Sequence, residues 1–116
     1  LSTRIVNVHL VDSTFDSGHA TAFAQLHELR RNMGQAIYVG DFNAAEEITR
    51  ERFGSILGAT PVFPAQPTHR WSKLFTNNTL DVLDGGFFPS YCKDTHAETI
   101  PVDRSDHEMV QLSFRI

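Results

Sequence analysis

Residues 36–43 read Ala-Ile-Tyr-Val-Gly-Asp-Phe-Asn and place a short apolar strand directly before a polar turn. Residues 36–39 are typical of a buried strand, since apolar and β-branched side chains favour extended backbone. Gly40, Asp41 and Asn43 are turn formers, and taken alone this tetrapeptide is more often just a turn. In layered α/β folds, however, ligands bind where strand ends meet loops. Asp41 and Asn43 are therefore candidate site residues.

The segment before this stretch predicts a strand and then a helix. Residues 4–11 read Arg-Ile-Val-Asn-Val-His-Leu-Val, a mostly apolar strand in which Asn7 and His9 share one face. Residues 19–33 carry apolar side chains at helical spacing, and Gly34 is a plausible stop. The chain therefore begins with the order strand, helix, strand.

The segment after this stretch predicts one more helix and several strands. We expect a short helix over 46–53 and two strands within 79–88 that bend at Gly85-Gly86. Residues 94–106 predict a polar loop, and the alternating apolar residues of 109–116 predict a closing strand. This order predicts an α/β layered domain with a mixed sheet and helices on one face.

Composition limits the classes of protein to consider. The 116 residues suit one domain, and no run approaches the length of a membrane span. The single cysteine, Cys92, excludes an internal disulfide framework and a Cys-rich zinc site. The net charge of −4 argues against nonspecific electrostatic binding of nucleic acid. It is compatible with an enzyme that contacts phosphate through a bound cation. The cellular compartment is not indicated, because a single cysteine suits a cytosolic and a secreted protein alike.

Four short polar motifs each sit where a strand is predicted to start or end. They are Asn7-Val8-His9, Gly40-Asp41-Phe42-Asn43, Leu80-Asp81 and Ser105-Asp106-His107. If they converge, carboxylates are available for a hard cation such as Mg²⁺, and a histidine is available to accept a proton from water. Asn and a second His can donate hydrogen bonds to a phosphoryl group.

Each motif has an ordinary structural interpretation when it is taken alone. His9 suits a hydrogen-bonded core histidine, Asp81 a strand end, and residues 105–107 a helix cap or an exposed turn. The joint pattern favours a site, since four coincidences at strand ends in this order are improbable.

The order of these motifs resembles the endonuclease/exonuclease/phosphatase superfamily, which includes the DNase I-like nucleases. The resemblance implies an α/β fold, a layered β-sandwich flanked by helices (the DNase I-like four-layer fold). The resemblance also implies that residues 1–116 correspond to the C-terminal half of such a domain.

The resemblance also implies roles for five catalytic residues. His9 matches a histidine that contacts the scissile phosphate, and Asp41 matches the residue that orients or activates the attacking water. Asn43 matches an amide that contacts the phosphate. His107 matches a general base or phosphoryl-stabilising histidine, and Asp81 matches the carboxylate that pairs with it.

A metal is implied by the same resemblance. Asp106 matches an acidic metal ligand, and Asp41 is a second candidate ligand. The expected ion is Mg²⁺, with Mn²⁺ as the alternative. The expected reaction is hydrolysis of a phosphodiester or phosphomonoester, nucleic acid included, by in-line attack of water.

Members of the superfamily have a first half that supplies one of two packed sheets and the main metal-binding Glu. This sequence opens at the histidine-bearing strand, so we expect an N-terminal half, another chain or self-association to complete it. The alternative function is a non-catalytic binding or structural subunit. A small metal-binding domain built on His69, His96 or His107 is a third alternative, and no Cys or His spacing here fits a structural zinc site.

Overall fold

A computed structural model describes residues 3–13, 16–65, 69–70, 80–102 and 107–116. Within these ranges the chain forms two α-helices and eight β-strands. The helices are α1 (Ala20–Met33), which follows a 3-10 turn at Ser17–His19, and α2 (Glu47–Leu57). The strands are β1 (Ile5–His9), β2 (Ile37–Asp41), β3 (Thr60–Val62), β4 (His69–Arg70), β5 (Leu80–Asp81), β6 (Asp84–Phe88), β7 (Lys93–Ile100) and β8 (Met109–Arg115).

The unit β1-α1-β2 agrees with the expected order. β1 and β2 pair in parallel, so the connecting helix crosses over one face of the sheet. α1 ends where predicted: Gly34 has a φ of 69°, and its N–H donates to the carbonyl of Arg30 at 2.8 Å. A glycine suits this position because it adopts a positive φ without a steric penalty.

The main sheet has the strand order β1-β2-β6-β3, with β6 antiparallel to both of its neighbours. β4 and β5 form a separate short pair, and β7 and β8 form an antiparallel hairpin. The hairpin lies against β6, where the ring centroids of Phe88 and Phe114 are 5.5 Å apart. The architecture is therefore α/β with a mixed sheet, as expected.

One face of the main sheet is covered by α1 and α2. Alternate strand residues point to this face, and an aromatic cluster lies at its centre, with the rings of Phe42 and Phe87 4.7 Å apart. The buried core cluster consists of Val8, Leu10, Ala22, Leu26, Ala36, Tyr38, Phe42, Ala44, Phe53, Leu57 and Phe87. We call this the helix-covered face.

The opposite face of the sheet is only partly covered. A groove of about 390 Å³ lies between the sheet and β8, and it is lined mostly by apolar side chains such as Val39, Phe88 and Leu112. Ile5, at the edge of this face, is 62% exposed. Gly86 brings the hairpin close, since a Cβ there would lie 3.0 Å from Leu112 Cδ1. We call this the open face.

Three expectations about local structure need correction. The predicted loop over 94–106 is wrong for residues 94–100, which form most of β7 and are held by pairing with β8. The predicted bend at Gly85-Gly86 is also wrong: both glycines lie inside β6, and the break between β5 and β6 falls at residues 82–83. α2 runs beyond the predicted 46–53 and ends at Gly58, whose φ is 64°.

Neither described helix combines the length and the apolar character that a membrane span requires.

Candidate active site

Three polar residues form a row across the ends of neighbouring strands. In the strand register His9 lies opposite Asp41, and Asp41 lies opposite Asp84. The backbone pairing continues past this row, because the N–H of Leu10 donates to the carbonyl of Asp41 at 2.8 Å and that of Phe42 to the carbonyl of Leu83 at 3.0 Å. Sheet register therefore brings residues distant in sequence to one point.

His107, just before β8, completes the cluster. Its Nδ1 lies 2.8 Å from Asp84 Oδ2, a hydrogen bond in which the ring N–H donates to the carboxylate. Its Nε2 lies 3.7 Å from Asp41 Oδ2. A carboxylate on one ring nitrogen fixes the tautomer and orientation of a histidine. Asp84 thus aims Nε2 of His107 at Asp41.

His9 approaches Asp41 from the other side. Its Nε2 lies 3.7 Å from Asp41 Oδ2, the same oxygen that faces His107. The His9 side chain is 82% exposed, whereas that of Asp41 is 15% exposed. The carboxylate of Asp41 therefore lies between an open imidazole and a more enclosed one.

The backbone explains why glycine precedes Asp41 and why asparagine follows it. Gly40 has a φ of 139°, and a Cβ there would lie 1.9 Å from the carbonyl oxygen of Val8. Asn43 has a φ of 47°, a left-handed conformation that Asn tolerates well. Its N–H donates to Asp41 Oδ1 at 2.9 Å, and its Nδ2 donates to the carbonyl of Leu10 at 2.7 Å. The turn thus holds the Asp41 carboxylate in place.

The surroundings raise the pKa of Asp41 above its ordinary value. Burial is the largest cause. The hydrogen bond from the Asn43 N–H opposes it, the charge of Asp84 adds to it, and the two histidines, His107 and His9, oppose it. A carboxylate with a raised pKa is a better proton acceptor than an ordinary one.

The same cluster has the composition of a cation site. Ligand atoms of Asp41, Asp84 and His107 all lie within 4.8 Å of one another. Carboxylate oxygens suit Mg²⁺ and Mn²⁺, and an imidazole nitrogen is compatible with Mn²⁺. Each carboxylate already accepts one hydrogen bond, Asp41 Oδ1 from the Asn43 N–H and Asp84 Oδ2 from His107.

Four of the candidate site residues from the sequence come together here: His9, Asp41, Asn43 and His107. Asp81 lies in β5, but its side chain is outside the described residues, and Asp106 is outside them altogether.

Asp84 is the residue that sequence reasoning missed. The signal was present, because Leu-Asp occurs twice, at residues 80–81 and at residues 83–84. The sequence pattern favours the first pair as the strand end of the site, and the glycines after the second pair predict a bend. In the structure the second pair opens β6 and provides the carboxylate that contacts His107.

No family model and no curated protein sequence matches the chain. Two solved structures do. A chain of the Haemophilus ducreyi cytolethal distending toxin matches with a TM-score of 0.65 and 16% identity, over 95% of this chain and 48% of the toxin chain. A chain of the cytolethal distending toxin from Actinobacillus actinomycetemcomitans matches with a TM-score of 0.64 and 17% identity, over the same shares. This chain therefore spans about half the length of the toxin chains. At such identity the likeness concerns the fold alone, and it supports a DNase I-like fold for this chain.

Proposed function

We propose that this chain carries catalytic residues of a Mg²⁺-dependent phosphoesterase that hydrolyses phosphodiesters by in-line attack of water. The observation that carries the proposal is the arrangement of His107, hydrogen-bonded to Asp84 at 2.8 Å and 3.7 Å from Asp41. The DNase I-like fold supports it. The layered sandwich, with this chain as its C-terminal half, is part of the same proposal.

His107 and Asp84 act together in this proposal. With its Nδ1 proton held by Asp84, the neutral ring of His107 presents a lone pair at Nε2. It can take a proton from water, and the resulting imidazolium is stabilised by the Asp84 carboxylate. When the ring is protonated instead, Nε2–H is a donor for a phosphoryl oxygen. Both states suit phosphoester hydrolysis.

Asp41 orients and activates the attacking water in this proposal. The carboxylate can accept a hydrogen bond from that water and orient it, and His107, whose Nε2 lies 3.7 Å from Asp41 Oδ2, can take the proton. Asn43 fixes the orientation of the Asp41 carboxylate through its backbone N–H, and we propose that it also contacts the phosphate. His9, on the exposed side, is placed to donate a hydrogen bond to the phosphoryl group.

A cation fits this site on electrostatic grounds. Asp41 and Asp84 together make it anionic, so a phosphodiester would be repelled unless positive charge offset them. We propose that Asp41 and Asp106 hold the ion, with Asp84 within reach. A bound Mg²⁺ or Mn²⁺ would polarise a phosphoryl oxygen and offset its charge. The chain's own residues orient the water and move its proton.

The shape of the site favours a large substrate. The His9 side chain is 82% exposed, so the site opens to solvent on that side rather than enclosing a small molecule. We therefore propose a nucleic acid as the substrate class, with other phosphodiesters and phosphomonoesters as alternatives.

Completion of the site by further polypeptide is part of the proposal. Ile5 on the open face is more than half exposed, as are Met109 at the start of β8 and Ile116 just after it. Exposed apolar surface of this kind often marks an interaction site. We propose that an N-terminal half, another chain or self-association covers it. The same exposed face favours the second candidate function, a non-catalytic binding or structural subunit.

The test is hydrolysis of bis(4-nitrophenyl) phosphate and nicking of supercoiled plasmid with Mg²⁺, with Mn²⁺ and with EDTA. It uses this chain and the full-length gene product. We expect turnover that EDTA abolishes and that His107→Ala lowers about 100-fold or more, because that variant removes the proton acceptor.

The matched control is His96→Ala. His96 lies on β7, is exposed and pairs with Glu98 at 3.0 Å, so its loss should leave turnover unchanged. Metal-dependent turnover that survives His107→Ala would contradict the catalytic assignment. If neither protein hydrolyses either substrate, the non-catalytic subunit becomes the better assignment.

A further inference from the structure

We infer that Arg50, a residue on α2 outside the cluster of His9, Asp41, Asp84 and His107, is a positioning residue that keeps the carboxylates of Asp41 and Asp84 at the separation seen in the structure. The kinetic part of this inference rests on the proposed function. Its geometric part stands on the contacts of Arg50 alone.

The guanidinium of Arg50 makes three hydrogen bonds to backbone carbonyls from two different segments. Nε donates to Ala44 O at 2.8 Å, and Nη2 donates to Ala45 O at 2.8 Å and to Val82 O at 2.9 Å. One side chain therefore links two stretches of chain outside regular secondary structure.

Those two stretches carry the acidic residues of the site. Ala44 and Ala45 follow Asn43 in the loop that leaves β2 just after Asp41. Val82 lies two residues before Asp84, in the break between β5 and β6. The register pair of Asp41 and Asp84 is the last at this end of the sheet. Beyond it, the backbone bond from Phe42 to Leu83 and the Arg50 bridge hold the two segments together.

The surroundings of Arg50 fit a side chain that links the two segments, and the three hydrogen bonds need a guanidinium group. The guanidinium carbon lies 4.6 Å from the centroid of the Phe63 ring, and burial lowers the pKa of Arg50. A planar guanidinium offers several donors in a fixed fork, whereas the ammonium of a lysine is a compact point charge on a flexible stem. Lysine could reach part of this set of carbonyls but could not hold all three in one plane.

Loss of the bridge should move the catalytic groups relative to one another. Asp84 orients His107, and Asp41 faces the Nε2 of that ring, so a shift of the 82–84 segment against the 41–45 loop changes the His107–Asp41 distance. Catalysis is sensitive to such shifts, since a misplacement of about 1 Å can cost about 100-fold in rate. The expected defect is in kcat rather than in KM.

The test compares Arg50→Met and Arg50→Lys with Ile56→Ala as the matched control. Ile56 lies on the same helix and packs against the core, and its apolar side chain has no hydrogen-bond donor, so its truncation lowers stability without removing the Arg50 hydrogen bonds. Two quantities are measured at one pH, below the melting temperature of every variant: the ring ¹⁵N and ¹H NMR signals of His107, and kcat and KM for bis(4-nitrophenyl) phosphate in the form of the protein that hydrolyses it.

We expect Arg50→Met to move the His107 ring signals and to lower kcat about 10- to 100-fold with KM within about threefold. Arg50→Lys should recover part of both effects, and Ile56→Ala should change neither. If Arg50→Met does not fold, Arg50→Lys against wild type decides the question by the same two measurements.

Two outcomes would overturn the inference: His107 signals that stay at their wild-type positions in both Arg50 variants, or equal displacement by Ile56→Ala. If the wild-type protein hydrolyses no phosphodiester, the proposed function fails, and the NMR signals alone still decide whether Arg50 positions the cluster.

Discussion

The two faces of the main sheet differ in how far their side chains are buried and in where the polar candidate site residues lie. The helix-covered face buries aromatic and aliphatic side chains completely, with Leu26, Tyr38 and Phe87 at 0% exposure. The open face carries the row of polar residues at the strand ends and leaves apolar side chains beside it only partly covered. The same strands serve both, because successive side chains point to opposite faces. A substitution can therefore disturb one face with little direct effect on the other.

The largest expected effect on stability lies on the helix-covered face. Leu26→Ala on α1 removes a fully buried side chain and leaves a cavity, so we expect a loss of about 2–5 kcal/mol in the free energy of unfolding. Urea denaturation followed by circular dichroism measures it. The variant should keep the Asp84–His107 contact while it is folded, and its His107 NMR signals should match those of wild type. A loss below about 1 kcal/mol would show that α1 is not packed as described.

A substitution within the candidate site, Asp41→Asn, is expected to raise the free energy of unfolding, and by less than Leu26→Ala lowers it. Asp41→Asn removes a carboxylate whose pKa is raised by burial and by the charge of Asp84. A raised folded-state pKa stabilises the protein at low pH, and that stability is lost as pH rises through the folded-state pKa. Asp41→Asn lacks this loss, so it should be more stable than wild type at neutral pH, by less than Leu26→Ala destabilises, while the proposed hydrolysis falls.

The pH dependence separates this explanation from a change in packing. The stability difference between Asp41→Asn and wild type should appear as pH rises above 3.8, the ordinary pKa of the carboxyl, and should level off above the raised value. Thermal melts from pH 3 to pH 7 measure it. A difference that is constant across this range would mean that the Asp41 charge does not destabilise the fold.

The smallest change in the free energy of unfolding is expected for a substitution on the open face. Ile5 is 62% exposed on β1, so Ile5→Ala should change the free energy of unfolding of this chain by about 0.5 kcal/mol or less. The same substitution in the full-length protein tests the proposed cover of the open face. A loss of more than about 1 kcal/mol there would indicate that further polypeptide buries Ile5.

The sequence predicted the local parts of this architecture well. The mostly apolar and β-branched composition of residues 4–11 indicated the strand, and strand periodicity placed Asn7 and His9 on one face. The 3.6-residue spacing up to Gly34 indicated the helix between β1 and β2. These patterns are properties of a single segment. The closing strand was also predicted, because alternation continues from Met109 to the end of the chain.

The failures occurred where structure depends on distant partners. Residues 94–100 read Asp-Thr-His-Ala-Glu-Thr-Ile, a polar stretch that becomes β7 only through pairing with β8. The carboxylate next to His107 could not be assigned from sequence, since either Leu-Asp pair suits a strand end and only the β2–β6 register brings Asp84 beside Asp41. The roles of Asp41 and His107 remain predictions that the variants above test, and those of His9, Asn43, Asp81 and Asp106 also remain predictions.

The row formed by His9, Asp41 and Asp84 also has a consequence for synthesis of the protein. β1, α1 and β2 are contiguous, so this unit can form while the rest of the chain is still being translated. Asp84 and His107 join it only after β6 and the hairpin have docked, which are contacts between distant segments and therefore late events in folding. In a nascent chain the cluster of His9, Asp41, Asp84 and His107 would thus stay incomplete until most of the chain had emerged and β6 and the hairpin had docked.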